Sequence, residues 1–392
     1  MHLVFATSLV PVAEPRSGYD IANRVIVDAL RMMGHRVSVI GFLQPGNVPA
    51  EPDETIILAD LEVTNARVSA LRKLGWLASA FARGEPVSVT KMHAVPASRV
   101  AVALASLGPV DAVILNSIQL PGAFLGLFEG LRWLYVAHNV EGASAAGNAR
   151  EAKGVLNRAL YSREARLLTA IEQTLCRRAA YVFTLAEEDR AALGVDDPDR
   201  SCALPLVTSV APPPAMEPRT PDCDVGMIGS WTWSANRAGL DWFLDEIVPR
   251  LAADIRIGIA GGIDDTPAGL PGNVAFLGRV PDARAFVRSA RVIPLISRAG
   301  TGVQLKTIET FEMGLPSVAT GSALRGIADI PANCRVAEDA SDFADKLTGM
   351  IRQARAGEMP DLDGRIFHAG QLRRLTAALS EGLDRIGKVN DG

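Results

Sequence analysis

The chain has 392 residues, of which 48% are apolar and 21% charged, so it is long enough for two or three domains and too apolar to be disordered. Its net charge of -4 at pH 7 excludes a dedicated polyanion binder, and no nucleic-acid partner is expected. Four cysteines, Cys176, Cys202, Cys223 and Cys334, are scattered without a Cys-x-x-Cys pair or a histidine at ligand spacing, and they read as reduced thiols.

The start, Met1-His2-Leu3-Val4-Phe5-Ala6, lacks the cationic region of a signal peptide and reads as a first strand. No apolar run reaches the roughly 18 residues a spanning helix requires, so a cytoplasmic location is expected. Short apolar runs then alternate with helical periods, the pattern of parallel sheets covered by helices. Strands are predicted near 2–6, 36–41, 55–60, 111–116, 132–137 and 180–184, and the first helix ends at Met33-Gly34-His35, where glycine supplies a cap. In segment 150–178, Leu156, Leu160, Leu167, Ile171 and Leu175 form a stripe at helical spacing that predicts core packing. The same segment carries Arg150, Lys153, Arg158, Arg163, Arg166, Arg177 and Arg178 against three glutamates, Glu151, Glu164 and Glu172. This is either a solvated face or a peripheral contact with the anionic inner face of a membrane.

Ala211-Pro212-Pro213-Pro214, with Pro218 and Pro221, continues neither a helix nor a central strand. The expected domains are therefore 1–210, a proline-rich linker at 211–221, and 222–362. After the prolines, strands are predicted near 223–229, 255–260, 273–277, 291–296 and 316–319, with helices near 235–251, 282–289 and 303–313. A final helix over 363–387 carries Ile366, Leu372, Leu375, Leu379 and Leu383 and is expected to cross back onto the first domain. The fold class is α/β, with two doubly wound Rossmann-like domains facing a central cleft.

The stretch 294–316 concentrates the chemistry. A strand ends near Ser297, Gly300 and Gly302 clear side chains from the backbone, and a helix begins at once. The free N–H groups at that start, with a dipole of about half a charge, suit an anion. Lys306 adds a full positive charge, and Glu309 is placed to accept bonds from vicinal hydroxyls such as those of ribose. The alternative for these two is a solvated Lys306–Glu309 pair.

Ile308-Glu309-Thr-Phe-Glu-Met-Gly314-Leu-Pro316-Ser-Val-Ala-Thr320 resembles the donor-site signature of the family 4 (group 1) glycosyltransferases, which have the GT-B fold. At position 301, where the family's first glutamate falls, this chain has Thr301. The resemblance extends to Val225-Gly-Met-Ile-Gly229-Ser230-Trp231, similar to the family's phosphate-facing loop, and to Val274-Ala-Phe-Leu-Gly278-Arg279-Val280, similar to the segment that meets the nucleobase. In the first half, Ser17-Gly18-Tyr19 is similar to the family's glycine loop, and Tyr135-Val-Ala-His138-Asn139-Val140-Glu141 to its histidine loop near the donor sugar.

The resemblance implies a nucleoside-diphosphate-sugar donor bound by Gly18, Gly229, Ser230, Arg279, Val280, Gly300, Thr301, Gly302, Val303, Lys306 and Glu309. It implies His138, Lys306 and Glu309 as the catalytic set, and Tyr19, Asn139 and Trp231 on the acceptor or sugar side. Transfer with retention to a glycan or lipid-linked acceptor, in polysaccharide or glycoconjugate assembly, is the activity it implies. No metal and no cofactor are required. A nucleotide-sugar epimerase on the same architecture and a non-catalytic two-domain sugar-binding protein are the competing expectations.

Overall fold

The computed structural model describes residues 1–15, 17–63, 68–263, 265, 267, 269–298 and 302–387. It divides into two compact units, one of Met1–Val210 with the chain from Arg373 onward, the other of Ala211–Leu372.

The first unit is built on seven strands, β1 (His2–Leu9), β2 (Arg36–Leu43), β3 (Thr55–Asp60), β4 (Ala112–Asn116), β5 (Trp133–Ala137), β6 (Tyr181–Thr184) and β7 (Ser201–Ala203), in the order 3-2-1-4-5-6-7. All neighbours pair in parallel. The central strands are unbroken apolar runs, Ala-Val-Ile-Leu-Asn in β4 and Trp-Leu-Tyr-Val-Ala in β5, buried at every residue. Such runs are what a sheet covered on both faces requires.

The second unit carries β8 (Cys223–Ile228), β9 (Ile257–Ala260), β10 (Val274–Gly278), β11 (Ala290–Leu295), β12 (Ser317–Ala319) and β13 (Cys334–Val336), again parallel, in the order 10-9-8-11-12-13. In each sheet the strand order reverses beside its first strand, between β1 and β4 and between β8 and β11. A crevice for a ligand opens at the carboxyl ends of such a pair. The expected α/β class with two doubly wound sheets is therefore what the chain adopts.

Three local expectations change. The segment 235–251 is not one helix: Ser234–Trp242 passes into a π-turn at Phe243–Ile247 and a 3-10 turn at Val248–Arg250, where Pro249 has no N–H to continue an α-helical ladder. Segment 150–178 belongs to two helices, Glu141–Glu151 and Val155–Arg178, parted at Gly154 with φ +87°. The apolar stripe there is only partly core: Leu175 is fully buried, whereas Leu156 is 82% exposed. Finally, the chain from Ala211 is counted with the second unit and is tied to it. Arg219 pairs with Asp361 at 2.6 and 2.7 Å and donates to the carbonyls of Arg288 and Ala290, so the end of the proline-rich segment is held against the second unit.

Candidate active site

In the second unit, β11 ends at Leu295 and the chain re-enters a helix at Leu305–Glu312. Gly300 and Thr301 lie outside the described residues; Gly302 and Val303 are half-buried just before the helix. Gln304 occupies the cap position without a side-chain cap bond; its carbonyl takes the N–H of Thr307 at 2.9 Å, and the N–H groups of Leu305 and Lys306 meet no capping oxygen among the described residues. Lys306 lies in the first turn. Its Nζ donates to the carbonyl of Ile296 at 3.2 Å, and burial pulls its pKa down to about 8.

Lys306 and Glu309 do not form the solvated pair that their spacing allowed; among the described residues the lysine meets no carboxylate. Both instead line a small pocket with Met227, Ile228, Leu295 and Thr310. Glu309 reaches solvent at its edge. Its carboxyl is pushed up in pKa by desolvation and then by Glu312, with Arg284 opposing, an effect tempered by that exposure. A largely desolvated cation that, among the described residues, meets only the carbonyl of Ile296, in the first turn of a helix without a side-chain cap, is a site suited to an anion.

The end of β8 borders the same pocket. Gly229 leaves room for the indole, since a Cβ there would fall 3.0 Å from the ring of Trp231. Trp231 itself is 3% exposed and donates its indole N–H to the carbonyl of Ala260 at 2.9 Å. Trp231, expected on the acceptor or sugar side, borders this pocket with its indole packed into the core, and the exposed neighbour is Trp233, at 58%. Ser230 is exposed, with its hydroxyl 3.3 Å from that of Thr232. Beyond β10, Arg279 is exposed beside Gly262, and Val280 packs on the apolar cluster around Ile293 and Phe311. Arg298, not singled out by sequence, lies with its guanidinium 4.9 Å from the Trp242 ring centre.

In the first unit, a polar network occupies the carboxyl ends of β1, β4 and β5. The Asn116 amide donates to Thr7 Oγ1 at 3.0 Å and to Asn23 Oδ1 at 2.8 Å. Its oxygen therefore faces His138 Nε2 at 2.8 Å and must receive a proton from it. His138 is buried, and desolvation lowers its pKa to about 4, so the ring is neutral near pH 7. The bond to Asn116 selects the tautomer with Nε2–H, leaving the lone pair on Nδ1. Tyr19 lies 4.8 Å from that ring, centre to centre, and its hydroxyl bridges Thr7 Oγ1 and Ser117 Oγ at 3.1 and 3.0 Å.

Ser117 bonds Ser8 at 2.9 Å and is the one described non-glycine residue with positive φ, at +65°. Strain of this kind collects at functional sites. Asn116 and Ser117 were missed from sequence, although two polar residues closing an apolar strand were the available signal. Gly18 opens the helix Gly18–Met32, but Ser17 and Asp20 already cap that start reciprocally. Asn139 is half-buried and bonds the carboxyl of Glu141. The loop carrying His138 is anchored by Glu172, which accepts from the N–H groups of Glu141 and Gly142 at 2.5 and 3.0 Å.

Residues 222–353 match the family model described as glycosyl transferases group 1. No curated protein matches the sequence. Among solved structures, a sucrose-phosphate synthase from Thermosynechococcus elongatus is similar at a TM-score of 0.63 and 15% identity, covering 99% of this chain and 98% of that one. A glycosyltransferase from Rickettsia africae gives 0.60 at 12% identity, covering 100% and 99%. Anabaena HepE in complex with UDP gives 0.58 at 12%, covering 98% and 100%. These likenesses establish the two-domain GT-B fold.

Proposed function

We propose that the chain is a group 1 glycosyltransferase acting in glycoconjugate biosynthesis, a reading supported by the match of residues 222–353 to that family model, and that its donor is a nucleoside-diphosphate sugar whose diphosphate lies against the start of helix Leu305–Glu312. The observation that carries this reading is Lys306, a half-buried, largely desolvated ammonium with no carboxylate partner among the described residues. A departing diphosphate gains negative charge, so a cation already desolvated at that point stabilises the transition state more than the bound substrate. Glu309, at the pocket edge, accepts from the ribose hydroxyls. The complex of HepE with UDP supports a uridine nucleotide as the first donor base to try.

On the acceptor and sugar side, the neutral His138 offers Nδ1 to a sugar hydroxyl, and the hydroxyls of Tyr19, Ser8 and Ser117 extend that polar surface. Transfer with retention to a glycan or lipid-linked hydroxyl is the reaction we assign. The residue chemistry it uses, a cation and backbone N–H groups at the leaving group, calls on no metal.

The test is incubation with a panel of nucleotide sugars, scored by release of nucleoside diphosphate. With the productive donor, Lys306→Ala lowers kcat by at least about tenfold, or 1.4 kcal/mol. Glu309→Gln chiefly weakens donor binding, because ribose contacts change little as the reaction proceeds. Both variants keep the wild-type circular dichroism spectrum, since helices tolerate alanine and glutamine. Wild-type kinetics in both folded variants, or a donor complex with its diphosphate away from residues 302–306, overturns the assignment.

A further inference from the structure

We propose that the helix Ala70–Arg83, together with the exposed start of helix Val155–Arg178, is a docking surface for an anionic lipid bilayer. The first helix is properly terminated at both ends: the Ser69 hydroxyl accepts from the N–H of Arg72 at 3.4 Å, and Gly84 closes it at φ +68°. It needs only one face to join the domain. That face is Trp76, Leu77 and Ala80, which are buried or half-buried. On the opposite side Leu71 is 83% exposed, Leu74 61% and Phe81 56%, with Ala78 and Ala82 exposed between them. The positions 71, 74, 78 and 81 follow helical spacing, so they form one continuous apolar stripe pointing at solvent. A stripe of that length on a folded surface marks an interaction site.

Charge identifies the partner. The helix carries Arg72, Lys73 and Arg83 and no acidic residue, in a chain whose net charge is -4. The adjoining helix continues the pattern. Arg163 donates to the carbonyls of Ala80 and Glu85 at 2.8 and 3.1 Å and sits 4.3 Å over the Phe81 ring, which ties the two helices together. Two turns nearer its own start, on the side that bears Arg163, Leu156 is 82% exposed, next to Val155 at 83%. Lys153 and Arg158 beside them are exposed as well.

A second copy of this chain would set basic rim against basic rim, which like charge opposes, and a nucleic acid has no use for a central row of leucine and phenylalanine. An anionic bilayer satisfies both features, taking the apolar stripe into its headgroup and acyl boundary while phosphates meet the rim. The sequence placed such contact on the arginines of 150–178. In the structure Arg163 is turned inward, paired with Glu164 at 2.8 Å, and the apolar insertion comes from the neighbouring helix.

The inference is independent of which sugar is transferred, and its test requires no enzymatic activity. Full-length protein is sedimented with vesicles of phosphatidylcholine alone and of phosphatidylcholine with phosphatidylglycerol, at low and high salt. Binding is expected only to the anionic vesicles, weakening as salt screens the rim. The pair Leu74→Ser/Phe81→Ser and the pair Arg72→Gln/Lys73→Gln should each weaken it by about tenfold or more. All four positions are exposed, so circular dichroism should remain that of the wild type. Absence of binding, or equal binding by wild type and both folded variants, refutes the proposal. A wild-type dimer that the Leu74→Ser/Phe81→Ser pair dissolves, without any vesicle binding, assigns the stripe to a second copy instead.

Discussion

Burial lowers the pKa of both Lys306 and His138, to about 8 and about 4, yet the two groups serve opposite electrical needs. The histidine is neutral near pH 7, and Asn116 holds its proton on Nε2, so Nδ1 can accept a hydrogen bond from a hydroxyl while the ring stays uncharged. The lysine must be charged to meet a diphosphate. A base with a folded pKa near 8 is mostly cationic below that pH and neutral above it. Since kcat/KM reports the free protein's groups, kcat/KM for the donor should be flat up to about pH 7 and fall through pH 8 to 9. A Lys306→Arg variant keeps its charge over that range, so whatever its absolute rate, the alkaline fall should vanish. A profile whose alkaline limb survives in Lys306→Arg assigns the limb to another group.

At the scale of elements, the Gly314-Leu315-Pro316 segment shows that a recognisable signature serves scaffolding as much as ligand. Gly314 has φ +70°, and a Cβ there would lie 1.8 Å from the carbonyl oxygen of Leu362. Its own carbonyl accepts from the N–H of Leu362 at 2.8 Å and from Asn333 at 2.9 Å. The glycine thus ends the helix carrying Lys306 and Glu309 and seats the incoming chain before the last helix. Gly314→Ala should destabilise the second unit by about 1–3 kcal/mol or more, combining left-handed strain with overlap, and a thermal melt would read this as a lowered midpoint. A melt unchanged from wild type would mean that the turn relaxes freely.

This also explains what could be read from the chain. Glycine turns, apolar runs and the Lys306–Glu309 spacing are local, so eleven of the strands and the start of the pocket helix were visible in sequence. The edge strands β7 and β13, Ser-Cys-Ala and Cys-Arg-Val, lack the glycine–proline turn that marks the start of the equally short β12. The Asn116–His138 contact depends on β4 pairing with β5 in register, and Trp231 reads alike whether it faces a ligand or, as here, the core.

For the whole molecule, the repeated strand order places a polar cluster at the same point of each sheet, beside the reversal, and one helix runs from the second unit into the first. The helix Gly364–Gly387 begins in the second unit, and from Arg373 the chain is counted with the first. There Leu375, Leu379, Leu383 and Ile386 are buried to 4% exposure or less. Gly382 lets the helix lie on β6, since a Cβ would come within 2.2 Å of the Phe183 ring. Arg132 bonds the carbonyl of Ile386 at 2.9 Å, and Arg385 pairs with Asp199 at 2.7 Å.

Four apolar side chains at about 1.5–3 kcal/mol each amount to much of the stability of an ordinary domain. A chain ending at Leu372 should therefore lose hydrogen-exchange protection in β6 and β7 while β8, β11 and helix Leu305–Glu312 keep theirs. Gly382→Val should move in the same direction by wedging the helix away from Phe183. The point variant keeps the chain at full length, so it separates loss of packing from loss of chain. If both variants leave β6 as protected as in the wild type, the first unit folds without its terminal helix, and the burial of Leu375 to Ile386 contributes little to holding it together.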